Sequence, residues 1–391
     1  MKFPWGGKRA RGNGDGGGRI VQGALQKVAH RPASISAFSS ILAIVSGLLV
    51  GFVIMLIVNP GDAVPGFLTI LFGWLSEGSR SVGDMLYFGV PIVLTGLSVA
   101  FAFRTGLFNI GATGQLTMGA FTAVYIGVNW GFLGAFHWIV AVLGGMIAGA
   151  VWGSIAGLLK AFRNVHEVVS SIMLNYIAMY MNTMLIVQLI YNRQYARARS
   201  PLPSAHIPTW FLRDIFPGSS VNIGIFIAIG LTILLHIILN RTVFGYELKS
   251  VGFNRDAAKY AGMNAKRNIV LSMTISGALA GIAGAIMFLV AGRHLEPVNQ
   301  LMQEGFTGIA IALLGLSAPI GVFMAGIFYG ALEQGGYYLQ LYDFMPEIID
   351  IIIAVIIYFS AFSLFIQTYV AGYLRRKLGA EVELQQGTEI K

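Results

Sequence analysis

A chain of 391 residues that is 56% hydrophobic and 11% charged is not a soluble globular domain, which would carry roughly a quarter charged residues. The net charge of +9 does not point to nucleic acid, because the basic residues lie between apolar runs and at the N-terminus, where they report membrane orientation. With no cysteine there is no disulfide and no thiolate metal site, and 50 glycines suit helices that approach closely in lipid.

Residues 1–37 read as a basic, Gly-rich, partly disordered cytoplasmic segment: Lys2, Lys8, Arg9, Arg11, Arg19, Lys27 and Arg31 stand against one acid, Asp15. It is too long before its apolar run, and lacks a small-residue cleavage site, to be read as a removable signal peptide. The transmembrane domain is expected over 38–370 and a cytoplasmic tail over 371–391. A spanning helix needs about 20 mostly apolar residues. Ten candidates follow: 38–58, 86–103, 106–128, 138–159, 168–190, 222–240, 269–291, 305–317, 319–334 and 346–370. The eighth and ninth are short, either full helices or a broken pair. Phe67 to Leu75 reads as an interfacial or re-entrant piece with Trp74 at headgroup level. With an even count, both termini, Arg104, Lys160, Arg163, the loop 241–267 and Arg375 to Lys377 all face the cytoplasm, as the positive-inside rule requires. The outer loop 192–221, with Arg193, Arg197, Arg199 and Arg213 against Asp214, runs against it. Spans two to five and seven to ten form two blocks of opposite orientation, the layout of an inverted repeat in an all-α membrane protein.

Three polar constellations interrupt the apolar runs. Between Arg104 and Phe121, helical spacing puts Asn109, Thr113 and Thr117 on one face amid Gly106, Gly111, Gly114 and Gly119, with Gln115 nearby. That face either lines a route for a polar solute or packs helices through small residues and hydrogen bonds. In the fifth span Glu167, Ser171, Asn175 and Asn182 share a stripe; the carboxylate is solvated, faces a pathway, or relays protons with His166. At the outer side stand Arg293, His294, Glu296, Gln300, Gln303 and Glu304, with Glu333, Asp343 and Glu347: a solvated surface or a docking face for an extracellular partner.

The loop 241–267 holds a short helix between two stop signals. Asn254 is an N-cap, Asp256 falls in the first turn, Lys259 lies towards the other end, and Gly262 supplies a left-handed closure. Ala257, Ala258, Tyr260 and Ala261 suit docking into a groove, against the plainer reading of a loop that only sets topology. There is no Gly-x-x-x-x-Gly-Lys-Ser/Thr loop, no His-Glu-x-x-His and no Gly-x-Ser-x-Gly, so ATP, if it drives this protein, binds another chain.

Three motifs carry a resemblance: GLSVAFAFRTGLFNIGATGQ from Gly96 to Gln115, EVVSSIMLNYI from Glu167 to Ile177, and GFNRDAAKYAG from Gly252 to Gly262. Over roughly 38–370 the chain resembles the permease subunits of bacterial ABC importers for branched-chain amino acids, ribose-type sugars and nucleosides, and is most similar to the nucleoside permeases. The resemblance implies a non-enzymatic, multi-pass subunit of a bacterial plasma membrane. It also implies a second permease subunit (often a different chain), ATP-binding cassette ATPase subunits that use ATP and Mg, and an extracellular binding lipoprotein. Gly252, Asn254, Asp256, Ala257, Ala258, Tyr260 and Gly262 would be the coupling segment. Asn109, Thr113, Gln115, Ser171 and Asn175 are then candidates for hydrogen bonding to cargo along the path, and Phe103, Phe108 and Phe306 for stacking on a base. The rivals are a sugar or branched-chain amino acid permease of the same architecture, or a self-contained proton-coupled carrier using His166, Glu167 or Glu304.

Overall fold

The computed structural model describes residues 32–342, 344–345, 350–352, 354–355 and 358–359. The expectations for the leader, the tail and nearly all of span 346–370 lie outside them. Contacts divide the chain into two units, 47–361 and the two terminal regions, of which only Pro32–Ser46 is described. Thirteen helices are described: α1 (Pro32–Val58), α2 (Ala63–Phe72), α3 (Ser79–Arg104), α4 (Ala112–Asn129), α5 (His137–Arg163), α6 (Glu167–Leu185), α7 (Leu212–Ile215), α8 (Gly224–Arg241), α9 (Val243–Phe253), α10 (Arg255–Tyr260), α11 (Ala265–Phe288), α12 (Gln303–Leu314) and α13 (Pro319–Leu339). The only described strands, Tyr191–Asn192 and Arg197–Ala198, pair antiparallel in the loop after α6.

Five helical segments are long and apolar enough to cross a bilayer: Ser79–Arg104, Gly131–Arg163, Glu167–Ile190, Gly224–Arg241 and Ala265–Phe288. Ala63–Leu75 and Gln303–Leu314 are apolar but shorter. The chain is thus an all-α, multi-pass membrane protein. Several boundaries differ from expectation: the span placed at 86–103 begins at Ser79, the one placed at 319–334 runs to Leu339, and the one placed at 106–128 is helical only from Ala112. Residues 105–111 are broken out because α3 closes in a Schellman turn, with Gly106 left-handed at φ +70°. There the Leu107 amide donates to Ala102 O (3.1 Å) and the Gly106 amide to Phe103 O (3.0 Å).

α3 and α11 form the centre, buried along most of their length, while α5, α6 and α8 leave apolar faces outward. On α6, for example, Met173, Tyr176, Tyr180 and Met184 recur at helical spacing on the exposed side, a surface made for lipid or another membrane subunit. What brings α5 onto α11 is the absence of side chains. Gly145, Gly149, Gly153 and Gly157 repeat every fourth residue on α5; the first three face Gly277 and Gly281 on α11, and Gly157 faces Met273 and Val270. A Cβ on Gly149 would stand 2.7 Å from Gly281 Cα, and one on Gly153 3.0 Å from Gly277 Cα. α4 joins the same seam: a Cβ on Gly119 would meet Gly281 O at 2.7 Å. In lipid, where burial itself drives little, such close backbone packing holds helices together.

The arginines of the outer loop also find a place. Arg199 Nη2 donates to Asn129 Oδ1 (3.1 Å) at the end of α4 and to Leu189 O (3.3 Å) in the π-turn after α6, so it caps two helix ends at once.

Replacing Gly149 with Leu should cost at least about 3 kcal/mol, because the seam has no side chain to move aside. Gly230→Ala on α8, where nothing lies within 4 Å, should be neutral or stabilising by up to about 1 kcal/mol. Thermal unfolding of the two variants in detergent, followed by size-exclusion chromatography, checks both.

Candidate functional site

The polar residues singled out by sequence gather around residues 105–115, and there they bind one another. Asn109 Nδ2 donates to Gln115 Oε1 (2.9 Å) and Gln115 Nε2 returns a bond to Asn109 Oδ1 (3.0 Å). Asn109 Nδ2 also reaches Ser276 Oγ (2.6 Å), which itself donates to Ser98 O (2.7 Å). Thr105 Oγ1 donates to Ser272 Oγ (2.8 Å), so Ser272 and Ser276, one turn apart on α11, hold the whole broken segment. Asn175 of α6 accepts from the Gly114 amide (2.9 Å) and donates to Ile110 O (3.0 Å), which satisfies backbone freed by the break. The helical-face expectation for Asn109 with Thr113 and Thr117 therefore fails at Asn109, which precedes α4; Thr117 donates to Thr113 O within it (2.8 Å). Thr113 and Ser171 are fully buried, and neither hydroxyl has a partner among the described residues. Phe103 and Phe108 stack on each other, with centroids 5.3 Å apart and planes at 4°.

Glu167 is buried and paired with Lys160 Nζ at 2.8 Å, joining α5 to α6. His166 is the N-cap of α6; its Nδ1 accepts from the Val168 amide (3.3 Å) and is thereby committed to the backbone. This pair is built as a helix-end fixture.

The helix expected within 241–267 is present as α10. Asn254 Oδ1 accepts from the amides of Asp256 and Ala257, both at 3.0 Å. At the other end Gly262 is left-handed (φ +83°), the Met263 amide donates to Ala258 O (3.0 Å), and the Gly262 amide to Lys259 O (3.0 Å), a second Schellman turn. Ala258 points inward, 4% exposed in a cluster with Val251, Ala265 and Met263, and so seats α10 on its own chain. The outward residues are Asp256, Ala257 and Tyr260, and Tyr260 is 94% and Phe253 93% exposed. Gly252 rests on the α3 turn: a Cβ there would lie 2.7 Å from Arg104 O and 2.9 Å from Gly106 N. Lys249, one turn before it, donates to Asn240 Oδ1 (2.9 Å); burial, and then the nearby Arg104 charge, push its pKa down.

Further along α3, about 18 to 25 Å from Arg104 at roughly 1.5 Å per residue, Tyr87, Phe88, Pro91 and Ile92 line a cavity of about 480 Å³. Its polar lining is Arg293, Gln303, Glu304, Thr307, Glu333 and Asp350, and its aromatic lining is Tyr87, Phe88 and Tyr329. Arg293 sits 5.7 Å from the centroids of both Tyr87 and Phe88, in cation–π range. Tyr87 donates to Met287 O (3.2 Å), and the Tyr329 hydroxyl is in side-chain hydrogen-bond reach of Glu333 and Thr307. None of the eight candidate path residues lines this cavity. Phe306 is its nearest neighbour in sequence, beside Glu304 and Thr307 on α12. The sequence flagged Arg293, Gln303 and Glu333 only as an outer surface, and Glu304 as that or as a group of a proton-coupled carrier; it missed Tyr87, Phe88, Thr307, Tyr329 and Asp350. The one local signal for them was Tyr329 four residues before Glu333 on a single helix face.

A family model described as "Branched-chain amino acid transport system / permease component" matches residues 81–361. The guanosine ABC transporter permease protein NupP of Bacillus subtilis (strain 168) is 38% identical over 86% of this chain and 96% of its own. The nucleoside ABC transporter permease protein NupB of Lactococcus lactis subsp. cremoris is 33% identical over 84% and 91%. The glucose ABC transporter permease protein TsgB13 of Haloferax volcanii is 28% identical over 87% and 91%. No solved structure matches the chain. The broken α3–α4 junction, the capped helix α10 and the apolar lateral faces thus belong to a member of the ABC transporter permease family, a membrane transport subunit and not an enzyme.

Proposed function

We propose that the chain forms one half of the pore of a nucleoside importer powered by separate ATPase subunits. The observation that carries this is the 480 Å³ cavity, within the range of small-molecule sites, with carboxylates and aromatic faces set around one space. Glu304, Glu333 and Asp350 accept hydrogen bonds from sugar hydroxyls, and Tyr87, Phe88 and Tyr329 offer rings to a base. Three carboxylates against one guanidinium repel phosphate, so cargo is the neutral nucleoside and not the nucleotide. Relatives named for guanosine and nucleosides support the same substrate class. Gly305 of α12 packs closely on buried Thr113, a contact that separates the cavity from the unpartnered hydroxyls of Thr113 and Ser171 and that has to open for cargo to pass Phe306. The Asn109–Gln115–Asn175 network holds the break beside that path.

In this reading the cavity faces outside and receives cargo from an extracellular binding lipoprotein, while a second permease subunit completes the pore. Both termini and α10 lie in the cytoplasm of a bacterial cell, with ten spans arranged as an inverted repeat. Residues 252–262 dock in an ATPase subunit. Two almost fully exposed aromatic rings beside a six-residue helix support this, since so short a helix needs contacts to stay in place and such rings need cover.

Two outcomes test the proposal in vesicles containing the complete transporter. Uptake should be competed by unlabelled adenosine and not by AMP, ribose or leucine, and Glu333→Gln should lower uptake about tenfold or more; competition by ribose or leucine alone would assign the cargo to the sugar or amino acid branch. Ala257→Glu with Tyr260→Ala, on the outward face of α10, should abolish co-purification of the ATPase subunit while leaving the detergent-solubilised fold at its normal melting temperature. ATP-independent uptake by this chain alone would instead identify a self-contained carrier.

A further inference from the structure

The segment that carries the exposed knob and the helices that wall the cavity meet at one side chain, and we propose that Arg104 is the positioning residue that carries movement of α9 and α10 to the cavity walls. The inference rests on the transport reading above. Arg104 is the last residue of α3, and its carbonyl and the next two residues form the turn on which Gly252 lies backbone to backbone. With no side chain between them, α9 cannot advance towards α3 without displacing that turn. The Arg104 guanidinium reaches a second helix end: Nε donates to Ser317 O (2.9 Å) and Nη2 to Leu316 O (3.5 Å).

Those carbonyls belong to an unusual turn. α12 closes like α3 and α10, with the Ser317 amide donating to Ala312 O (2.8 Å) and the Leu316 amide to Leu313 O (2.9 Å), but the left-handed position holds leucine where glycine is the usual choice. Leu316 and Ser317 both have positive φ, +54° and +52°. Each costs on the order of 1 kcal/mol, and such a backbone persists only where its surroundings hold it. Arg104 is that hold. It makes no ion pair among the described residues, so its charge is spent on the carbonyl ends of α3 and α12, where helix dipoles favour a cation. Beyond the turn, Gly315 packs directly on Val322, so α12 and α13 follow the turn together. These two helices bring Gln303, Glu304, Thr307, Tyr329 and Glu333 into the cavity. The chain of contact thus runs from Gly252 to the Gly106 turn, through Arg104 to the Leu316–Ser317 turn, and along α12 and α13 to the cargo space.

The test uses the assembled transporter in vesicles and reads two rates, ATP hydrolysis stimulated by loaded binding protein and nucleoside uptake. In Arg104→Gln, hydrolysis should stay within about twofold while uptake per ATP falls at least about tenfold; Arg104→Lys, which keeps the charge and one donor direction, should be intermediate. Gly252→Ala, which acts on the other side of the same turn, should lower the same ratio. An unchanged uptake-to-hydrolysis ratio in Arg104→Gln overturns the proposal, as does an equal loss of both rates, which marks a residue that only supports the fold. If Arg104→Gln does not assemble, the ratio in Arg104→Lys and Gly252→Ala decides in the same way. Absence of ATP-driven uptake by the unmodified transporter would instead sink the transport reading itself.

Discussion

The contact of α5 with α11 across facing glycines sets the position of everything else in the 47–361 unit. Because Gly149 and Gly153 meet Gly277 and Gly281 with no side chains between, α11 is fixed at the centre, and its opposite face can present Ser272 and Ser276 to the broken segment between α3 and α4. Without that placement the buried side chains of Thr105 and Asn109, which tie the broken segment down, would have no partners on α11, and buried polar groups left unpaired are costly. The break, the buried amide pair of Asn109 and Gln115, and the seat for Gly252 all follow from it.

Much of this was legible in sequence where the signal is local. Asn254, Asp256, Lys259 and Gly262 mark α10 because capping needs particular side chains within a few residues of the helix end, and all four act as their chemistry requires. The apolar runs gave the long helices, although α3 begins at Ser79 and not at the expected residue 86. The start of α4 was misplaced because Phe108, Asn109 and Ile110 continue a helix-compatible pattern, while the Schellman turn at Gly106 depends on backbone bonds that no side chain announces. The cavity was illegible for a different reason: Tyr87, Arg293, Glu304 and Glu333 stand far apart in sequence, and the lining side chains are spread over α3, α12, α13 and the loop after α11. Nor does sequence show that Ala258 turns inward while Ala257 turns out, since both are small and adjacent.

Helix ends recur as the means by which this chain spends its few charges. Arg104, at the end of α3, binds the carbonyls of the turn that closes α12, and Arg199 ties the Asn129 side chain at the end of α4 to a carbonyl of the turn after α6. Lys160 and Glu167 close the junction of α5 and α6. A basic loop thus need not be a topology signal only: Arg199, which counts against the positive-inside pattern, also ties Asn129 to the Leu189 carbonyl.

The glycine seam has a mechanical corollary. An interface of bare backbone offers no alternative rotamers, so α5 and α11 have a single way to fit and must travel as one block. The same device ties α12 and α13 to α3: a Cβ on Gly308 would stand 2.7 Å from Thr95 C, and one on Gly330 2.9 Å from Gly89 Cα, so the bare-backbone contact that fixes one pair of helices also makes these follow α3.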